Sequence, residues 1–434
     1  MARRTVVTLC AGSSGNHVLA ADLGRRPEIE LRLVTSDPAA FGPRIECEET
    51  LVLSDSIPLL SPTRTRRYAG TLDAVLPWER IDEACEGADI VVLTCPVHCH
   101  RELLRRVLPA LSRPTIVGSL FAQGGLDWIF RDLCRELDLP VGRHTLFGLK
   151  RFPFLCKAHE RGRAVRLHGR FPRVVVAFAG REDEARRARA RALLGELLRK
   201  PVVTLPSFVS CTLGLSNQVL HPALSGALLR GFVPGRDALA EAPRLYGDCP
   251  AAGGADMCRL AAEFLELASS LEPLVGAPIR RTLGIDPGVR VYMEWRRWIG
   301  RHLEGGRRYE RLRDGFVAWL LRHNRRLYPA RLPTRPDPHG RGLVPDFGSR
   351  FWLDDIPHGL CVVYGLGVLM GVPMPRTRAL VLEHQAYMGR RYLEEAPADP
   401  REPFGPDLDR SGAPQRYGVH DRAGLVGLLR GTAC

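Results

Sequence analysis

The N-terminal half of this 434-residue chain holds three stretches whose residue types and spacing could do chemistry. The first is Cys10-Ala11-Gly12-Ser13-Ser14-Gly15-Asn16-His17, a small turn directly after the β-branched run RTVVTLC and directly before the apolar-periodic HVLAADLG. A chain that turns tightly from strand to helix brings free backbone N–H groups to one point, which suits a phosphate or a pyrophosphate. A strict GxGxxG is absent. Ala11, Ser13 and Asn16 stand where the three glycines would, while Gly12 and Gly15 keep the turn small, so Gly12, Ser13, Ser14 and Gly15 are the candidate cofactor contacts. The second stretch is Thr35-Ser36-Asp37, followed by Arg44, at the end of the next strand-like run. An acid there accepts the ribose 2′-OH of NADH and an arginine accommodates the 2′-phosphate of NADPH; Asp37 lies one or two positions late for the first role and Ser36 tolerates a phosphate, so both cofactors stay open. The third is LTCPVHCH, where Cys95-Pro96 and His100 shape a loop after a later strand, a usual place for a nucleotide. His98, Cys99 and His100 are adjacent and point in divergent directions, so no metal-ligand set is expected.

These stretches need a sheet to position them. Strand-like runs recur as IELRLVT, ADIVVLTCP (88–96), RPTIVGSL (113–120) and RVVVAFAG (173–180), with the helical patterns CHRELLRRVLPAL and LDWIFRDLCREL between them. A further helix, EDEARRARARALLGELLRK, leads into PVVTLPS as a last strand. Strands alternating with helices predict βαβ units and a parallel sheet covered on both faces, a Rossmann-like doubly wound α/β fold. After about residue 206 strand-like runs stop, and helical patterns dominate: DMCRLAAEFLELASSLEPLV, YMEWRRWIGRHLE, YERLRDGFVAWLLRHN and LCVVYGLGVLMG. The Pro- and Arg-rich YPARLPTRPDPHGRGLVPDFG between them reads as an ordered loop or a lid. The expected architecture is therefore an α/β dinucleotide-binding domain over 1–206 and a mostly helical all-α domain over 207–434.

Composition narrows the partners. The net charge of +14 invites nucleic acid, but the basic residues are arginine except for Lys150, Lys157 and Lys200, and they are scattered beside Asp and Glu. No aromatics interleave with them as a stacking platform would require. Small anions are the natural partners of such a surface, and no nucleic acid or membrane partner is expected. The opening MARRTVVTLCAGSSGNHVLA superficially suggests an export signal, yet its apolar run is short and breaks into the glycine turn, which fits a first strand. With no run of about 18 apolar residues and twelve cysteines lacking any CxxC pair, reduced thiols in a cytoplasmic protein are expected.

The C-terminal half adds LSNQVLHPALS (215–225) and GLVPDFGSRFWLDDIPHGLCVVYGLGVLMGVPMP (342–375). Taken singly, a His-Pro reads as a helix start and Asp-Ile-Pro as an N-cap, with Asp354 as the cap. Together they resemble the opine dehydrogenase family, particularly the octopine dehydrogenase type, in which a His-Pro opens a helical substrate domain and an Arg-x-x-x-x-Asp-Ile/Val-Pro segment follows much later. The likeness extends to CAGSSGNH, LTCPVHCH, FPFLCKAHERGRAVRLHG and the tail APQRYGV (413–419). It covers most of the chain, with gaps around 45–75 and 230–310, and departs from the family at the degenerate glycine turn. The resemblance implies an NADH- or NADPH-dependent oxidoreductase that joins an amino acid or related amine to a 2-oxo acid such as pyruvate through an imine. It also implies roles. His221 is the general acid and Asp355 its carboxylate partner; Arg350 clamps the oxo-acid carboxylate; Cys156 lies near the substrate or is a buried structural thiol; Gln123, in an AQGG loop, faces the site; Asn324 and Tyr328 line the lid.

Elementary chemistry agrees with those roles. Imine formation and reduction need a proton source that works near neutral pH, and histidine is the natural one. An imidazole that donates from one nitrogen wants a carboxylate on the other, and a planar guanidinium holds a carboxylate in one orientation. Alternatives remain: an opine-type dehydrogenase that builds a metallophore from a larger amine, and a catalytically silent nucleotide-binding regulator. A monomer or a homodimer fits equally.

Overall fold

The computed structural model describes residues 3–52, 63–179, 183–283, 306–323 and 330–430. The chain divides into two compact units, Met1–Ala122 with Leu126–Cys211, and Gln123–Gly125 with Thr212–Cys434. The YMEWRRWIGRHLE helix, Asn324 and Tyr328 lie outside the described residues.

In the first unit, apolar runs become central strands because a parallel sheet is buried on both faces. Strands β1 (Thr5–Cys10), β2 (Ile29–Val34), β3 (Arg44–Val52), β4 (Thr63–Thr71), β5 (Ala74–Leu76), β6 (Ile90–Leu93), β7 (Ile116–Ser119), β8 (Thr145–Leu149), β9 (Phe154–Glu160), β10 (Ala164–Arg170), β11 (Val174–Phe178) and β12 (Val202–Thr204) follow in chain order. Eight of them form one sheet in the order β12-β11-β8-β7-β6-β1-β2-β5. From β5 to β8 every neighbour is parallel, whereas β11 runs antiparallel to β8. The Rossmann-like expectation therefore holds over the six strands that frame the turn, and the RVVVAFAG run departs from it in direction only.

A second sheet, β4-β3-β10-β9, is not legible as strands in the sequence. Its β3 alternates, with Ile45, Cys47 and Glu49 buried, but a glutamate on the inward face hides the pattern. That inward Glu49 is matched by Arg170, which also holds Asp22 of the Ser14–Leu23 helix through two hydrogen bonds. Strand β4 carries the run Thr-Arg-Thr-Arg-Arg at the sheet edge, where charge discourages pairing with another chain. The Ser14–Leu23 helix packs on this second sheet and is buried nearly all round, so it shows no amphipathic stripe.

The second unit is built of helices, chiefly Asn217–Leu228, Ala251–Val275, Gly306–Arg322, the continuous run Arg350–Met370, and Pro375–Met388. Arg350–Met370 is long and apolar enough to cross a bilayer, and 72% of its apolar window is buried, as in a core helix. The Pro-rich stretch folds back on itself as a short antiparallel pair, Thr334–Pro336 with Leu343–Pro345.

Candidate active site

The first unit sets the glycine turn at the carboxyl end of β1, between β2 and β6. Ser13 caps the following helix, its Oγ accepting from the Asn16 N–H at 3.3 Å and donating to Thr94 Oγ1 at 2.8 Å. Ala11 adopts φ +84°, the left-handed conformation that a glycine would take without cost. Asn16 offsets that strain by donating its side-chain amide to the Ala11 carbonyl. The retained Gly15 lets the Phe152 ring pack against the turn, since a Cβ there would fall 2.2 Å from its Cζ. His17 Nδ1–H donates to the Ser13 carbonyl at 2.7 Å and Nε2 accepts the Gly162 N–H at 2.8 Å. This buried imidazole, its pKa lowered chiefly by burial, ties the turn to the β9–β10 hairpin. Thr94, next to Cys95-Pro96, also donates to the Cys10 carbonyl. Ser36 follows β2, and Asp37 pairs with Arg161 at 3.3 Å. Cys156 lies on β9 in the second sheet, half-buried against the core. The turn, Cys95-Pro96 and Ser36 thus share one end of the sheet, and Cys156 sits on the other sheet.

The second unit brings together His221, Asp355 and Gln123. His221 lies inside the Asn217–Leu228 helix, not at its start; Pro222, also inside it, forgoes the helical bond to the Gln218 carbonyl. Asp355 Oδ2 accepts from His221 Nδ1 at 2.7 Å, with His221 4% and Asp355 2% exposed. Gln123 Nε2 donates to the other carboxylate oxygen at 3.4 Å. Although its sequence neighbours belong to the first unit, Gln123 is part of the second, followed by Gly124 and Gly125 at positive φ. Phe351, one helical turn before Asp355, stacks on the imidazole with centroids 3.9 Å apart and planes within 7°. Burial pushes the Asp355 carboxyl up, with His221 pulling against it. A more basic carboxylate is a stronger acceptor for Nδ1–H. The pair therefore leaves one imidazole nitrogen, Nε2, for chemistry.

Asp354 is not an N-cap. Its backbone is right-handed helical, and its N–H donates to the Arg350 carbonyl at 3.0 Å, because the helix already starts at Arg350. Directly after Asp355 the helix widens into a π turn over Ile356–Leu360, with the Leu360 N–H reaching the Asp355 carbonyl. Such turns arise where a residue is squeezed into a helix and recur at functional sites. Gly359 faces this cluster: a Cβ would lie 2.7 Å from Gln218 Cβ and 3.0 Å from Gln123 Nε2. Arg350 is exposed, its guanidinium 5.6 Å from the Phe351 ring centroid, and its charge favours the ionised form of Asp355.

A second buried histidine supports the first. His384 Nε2–H donates to the Pro222 carbonyl at 2.9 Å, and its Nδ1 accepts the Trp352 indole N–H at 3.2 Å. The network joins the His221 helix to the Arg350–Met370 run. Burial lowers His384 from 6.5 to about 4, so the folded protein binds its proton less tightly than the unfolded chain does. Stability tied to the neutral ring is whole above about pH 6.5 and is lost as pH falls towards 4, by about 3 kcal/mol for a shift of that size. Urea midpoints of the full chain at pH 7.5 and 5 should show this loss, and His384→Gln should show a shallower one. Equal slopes in both proteins would rule the account out.

Sequence reasoning missed Phe351, Gln218, His384 and Tyr246, whose hydroxyl lies 3.4 Å from His221 Nε2. Phe351 could have been found from its four-residue spacing to Asp355; Tyr246 carries no such signal.

Residues 204–388, which include His221, Arg350 and Asp355, match the family model described as NAD/NADP octopine/nopaline dehydrogenase, alpha-helical domain. An uncharacterised protein of Sinorhizobium fredii is 26% identical over 85% of this chain and 91% of its own length. The octopine dehydrogenase of Pecten maximus is 22% identical over 95% of this chain and 96% of its own. A solved structure of octopine dehydrogenase with NADH and agmatine superposes with a TM-score of 0.74 at 20% identity, covering 98% of both chains. The chain thus carries, over residues 204–388, the helical domain of the NAD/NADP octopine/nopaline dehydrogenases on the segments that hold the histidine–aspartate pair, and its similarity to octopine dehydrogenase runs almost end to end.

Proposed function

We propose that this chain catalyses the reductive condensation of an amino acid, or an amine derived from one, with a 2-oxo acid such as pyruvate. The reading rests on one observation above all: a buried imidazole held by a carboxylate on Nδ1 and presenting Nε2. Protonated at Nε2, His221 delivers a proton to the carbonyl oxygen as the amine adds, recovers one from nitrogen, and gives it to the departing hydroxyl. Asp355 keeps the ring in one orientation and balances the imidazolium charge. Arg350, exposed and without an ion pair among the described residues, takes the oxo-acid carboxylate. Gln123, buried behind the pair, donates to the second Asp355 oxygen.

The residues present also fit a dinucleotide. Gly12, Ser13, Ser14 and Gly15 sit at the start of a helix at the carboxyl end of β1, beside Cys95-Pro96, and Ser36 follows β2. NADH or NADPH bound there supplies the hydride that reduces the imine to a secondary amine. Nine of the eleven described cysteines are buried, which suits thiols in a reducing, cytoplasmic setting.

A grid of 2-oxo acids against amino acids, followed by NADH and NADPH oxidation, tests the reading. Oxidation that requires both partners is expected. Oxidation with an oxo acid alone would point to a hydroxy-acid dehydrogenase instead. Within this scheme Arg350→Lys keeps the charge but loses the two-pronged grip, so the oxo-acid KM should rise about 10-fold or more while the amine KM moves less. An equal rise in both would assign Arg350 to the fold.

A further inference from the structure

We infer that Tyr246 is a second hydrogen-bond donor of the site, and that with His221 it holds the carbonyl oxygen of the 2-oxo acid. The inference rests on the condensation reading above. The Tyr246 hydroxyl is 3.4 Å from His221 Nε2, too long for a good bond between the two. Two donors at that separation can both reach one oxygen placed roughly 2.8 Å from each. The tyrosine ring is buried, at 7% exposure, so its hydroxyl has no bulk water to prefer.

The loop that carries it is held on both sides. The Leu245 N–H donates to the Ala330 carbonyl and the Leu332 N–H to the Pro243 carbonyl, each at 2.8 Å. The Asp248 N–H closes on the Arg244 carbonyl at 3.0 Å. On the other side of the gap the imidazole is fixed by Asp355 and by the stacked Phe351. Neither donor has to reorganise when charge develops between them, which is the condition under which such donors count most. Burial, and then the nearby Asp355 charge, push Tyr246 up to about 12, so it stays a donor throughout the working range.

The step balances without further reagents. The amine nitrogen forms a bond to the carbonyl carbon, and the carbonyl π pair moves to oxygen, which takes the His221 Nε2 proton. The neutral imidazole then removes a proton from the new ammonium nitrogen and returns it to the hydroxyl. That hydroxyl leaves as water while the nitrogen lone pair forms the C=N bond. Tyr246 keeps its own proton and donates a hydrogen bond to the oxygen from addition to departure, so it touches the reacting atoms.

Tyr246→Phe keeps the ring and removes the donor. With pyruvate as the probe, NADH or NADPH, and the amine that gives turnover in the wild type, kcat/KM for pyruvate should fall about 10- to 100-fold. Propionate has the carboxylate and lacks the oxygen, so its inhibition constant should move less than about 2-fold. Thermal unfolding midpoints should coincide. A kcat/KM within about 3-fold of wild type, or a propionate constant weakened as much as pyruvate's, would overturn the assignment. His221→Asn, run alongside, separates the two readings: if it retains turnover the condensation scheme itself fails, whereas its loss with an unaffected Tyr246→Phe removes only the tyrosine.

Discussion

His221→Asn should lower turnover by about 10²- to 10⁴-fold while cofactor affinity stays within about 2-fold of wild type. The reason for expecting so large a split is spatial. Nδ1 is committed to Asp355, and Nε2 is the nitrogen left to move a proton. Asparagine keeps a polar side chain of similar reach against Asp355 but has no group that can lose and regain a proton near neutral pH. The glycine turn, in the first unit, is untouched by the change. Initial rates and fluorescence titration with NADH and NADPH, performed on the same preparation, measure both quantities. Turnover within a few-fold of wild type would remove His221 from the chemistry, and a parallel loss of cofactor affinity would mean that the substitution had disturbed the fold.

Asp355→Asn should cost about as much, 10²- to 10⁴-fold in turnover, by a different route. The amide is the same size and can still accept from Nδ1, but it cannot balance an imidazolium buried beside it. It can also turn its own N–H groups towards the ring and select the wrong tautomer. Because burial already opposes the charge on Asp355, removing that charge should leave stability within about 1 kcal/mol of wild type. The combination of a large kinetic loss and a small stability change is the distinguishing result. Should kcat survive while the unfolding midpoint drops, Asp355 would be a structural anchor for the helix and nothing more. The fall should appear equally in kcat and in kcat/KM, as for an interaction made in the transition state.

Much of this protein was legible before any coordinates. The apolar runs of β1, β6, β7 and β8 announce a buried parallel sheet, because strands covered on both faces have no polar side to interrupt them. The turn after β1 stands where a dinucleotide-binding fold keeps its phosphate turn, even with Ala11 and Asn16 in place of glycines. The resemblance over 215–225 and 342–375 singled out His221, Arg350 and Asp355, and the fold sets two of them, His221 and Asp355, in hydrogen-bond contact.

The structure alone decided how those residues are held. Whether Ala11 could stand in for glycine depended on Asn16 reaching the Ala11 carbonyl, a contact between side chain and backbone that no spacing rule announces. The second sheet escaped notice because Glu49 points inward and is matched by an arginine 121 positions later. Asp354 and Asp355 are neighbours of the same type, and local sequence offers no ground for choosing between a cap and a partner for His221. The helix phase, set by a start at Arg350 and a π turn after Asp355, makes that choice. Tyr246 and His384 lie still further out of reach. A residue type and its periodicity report the face an element buries, whereas the atoms that meet at His221 Nε2 and at the Pro222 carbonyl come from segments 25 and 162 residues apart, brought together by packing.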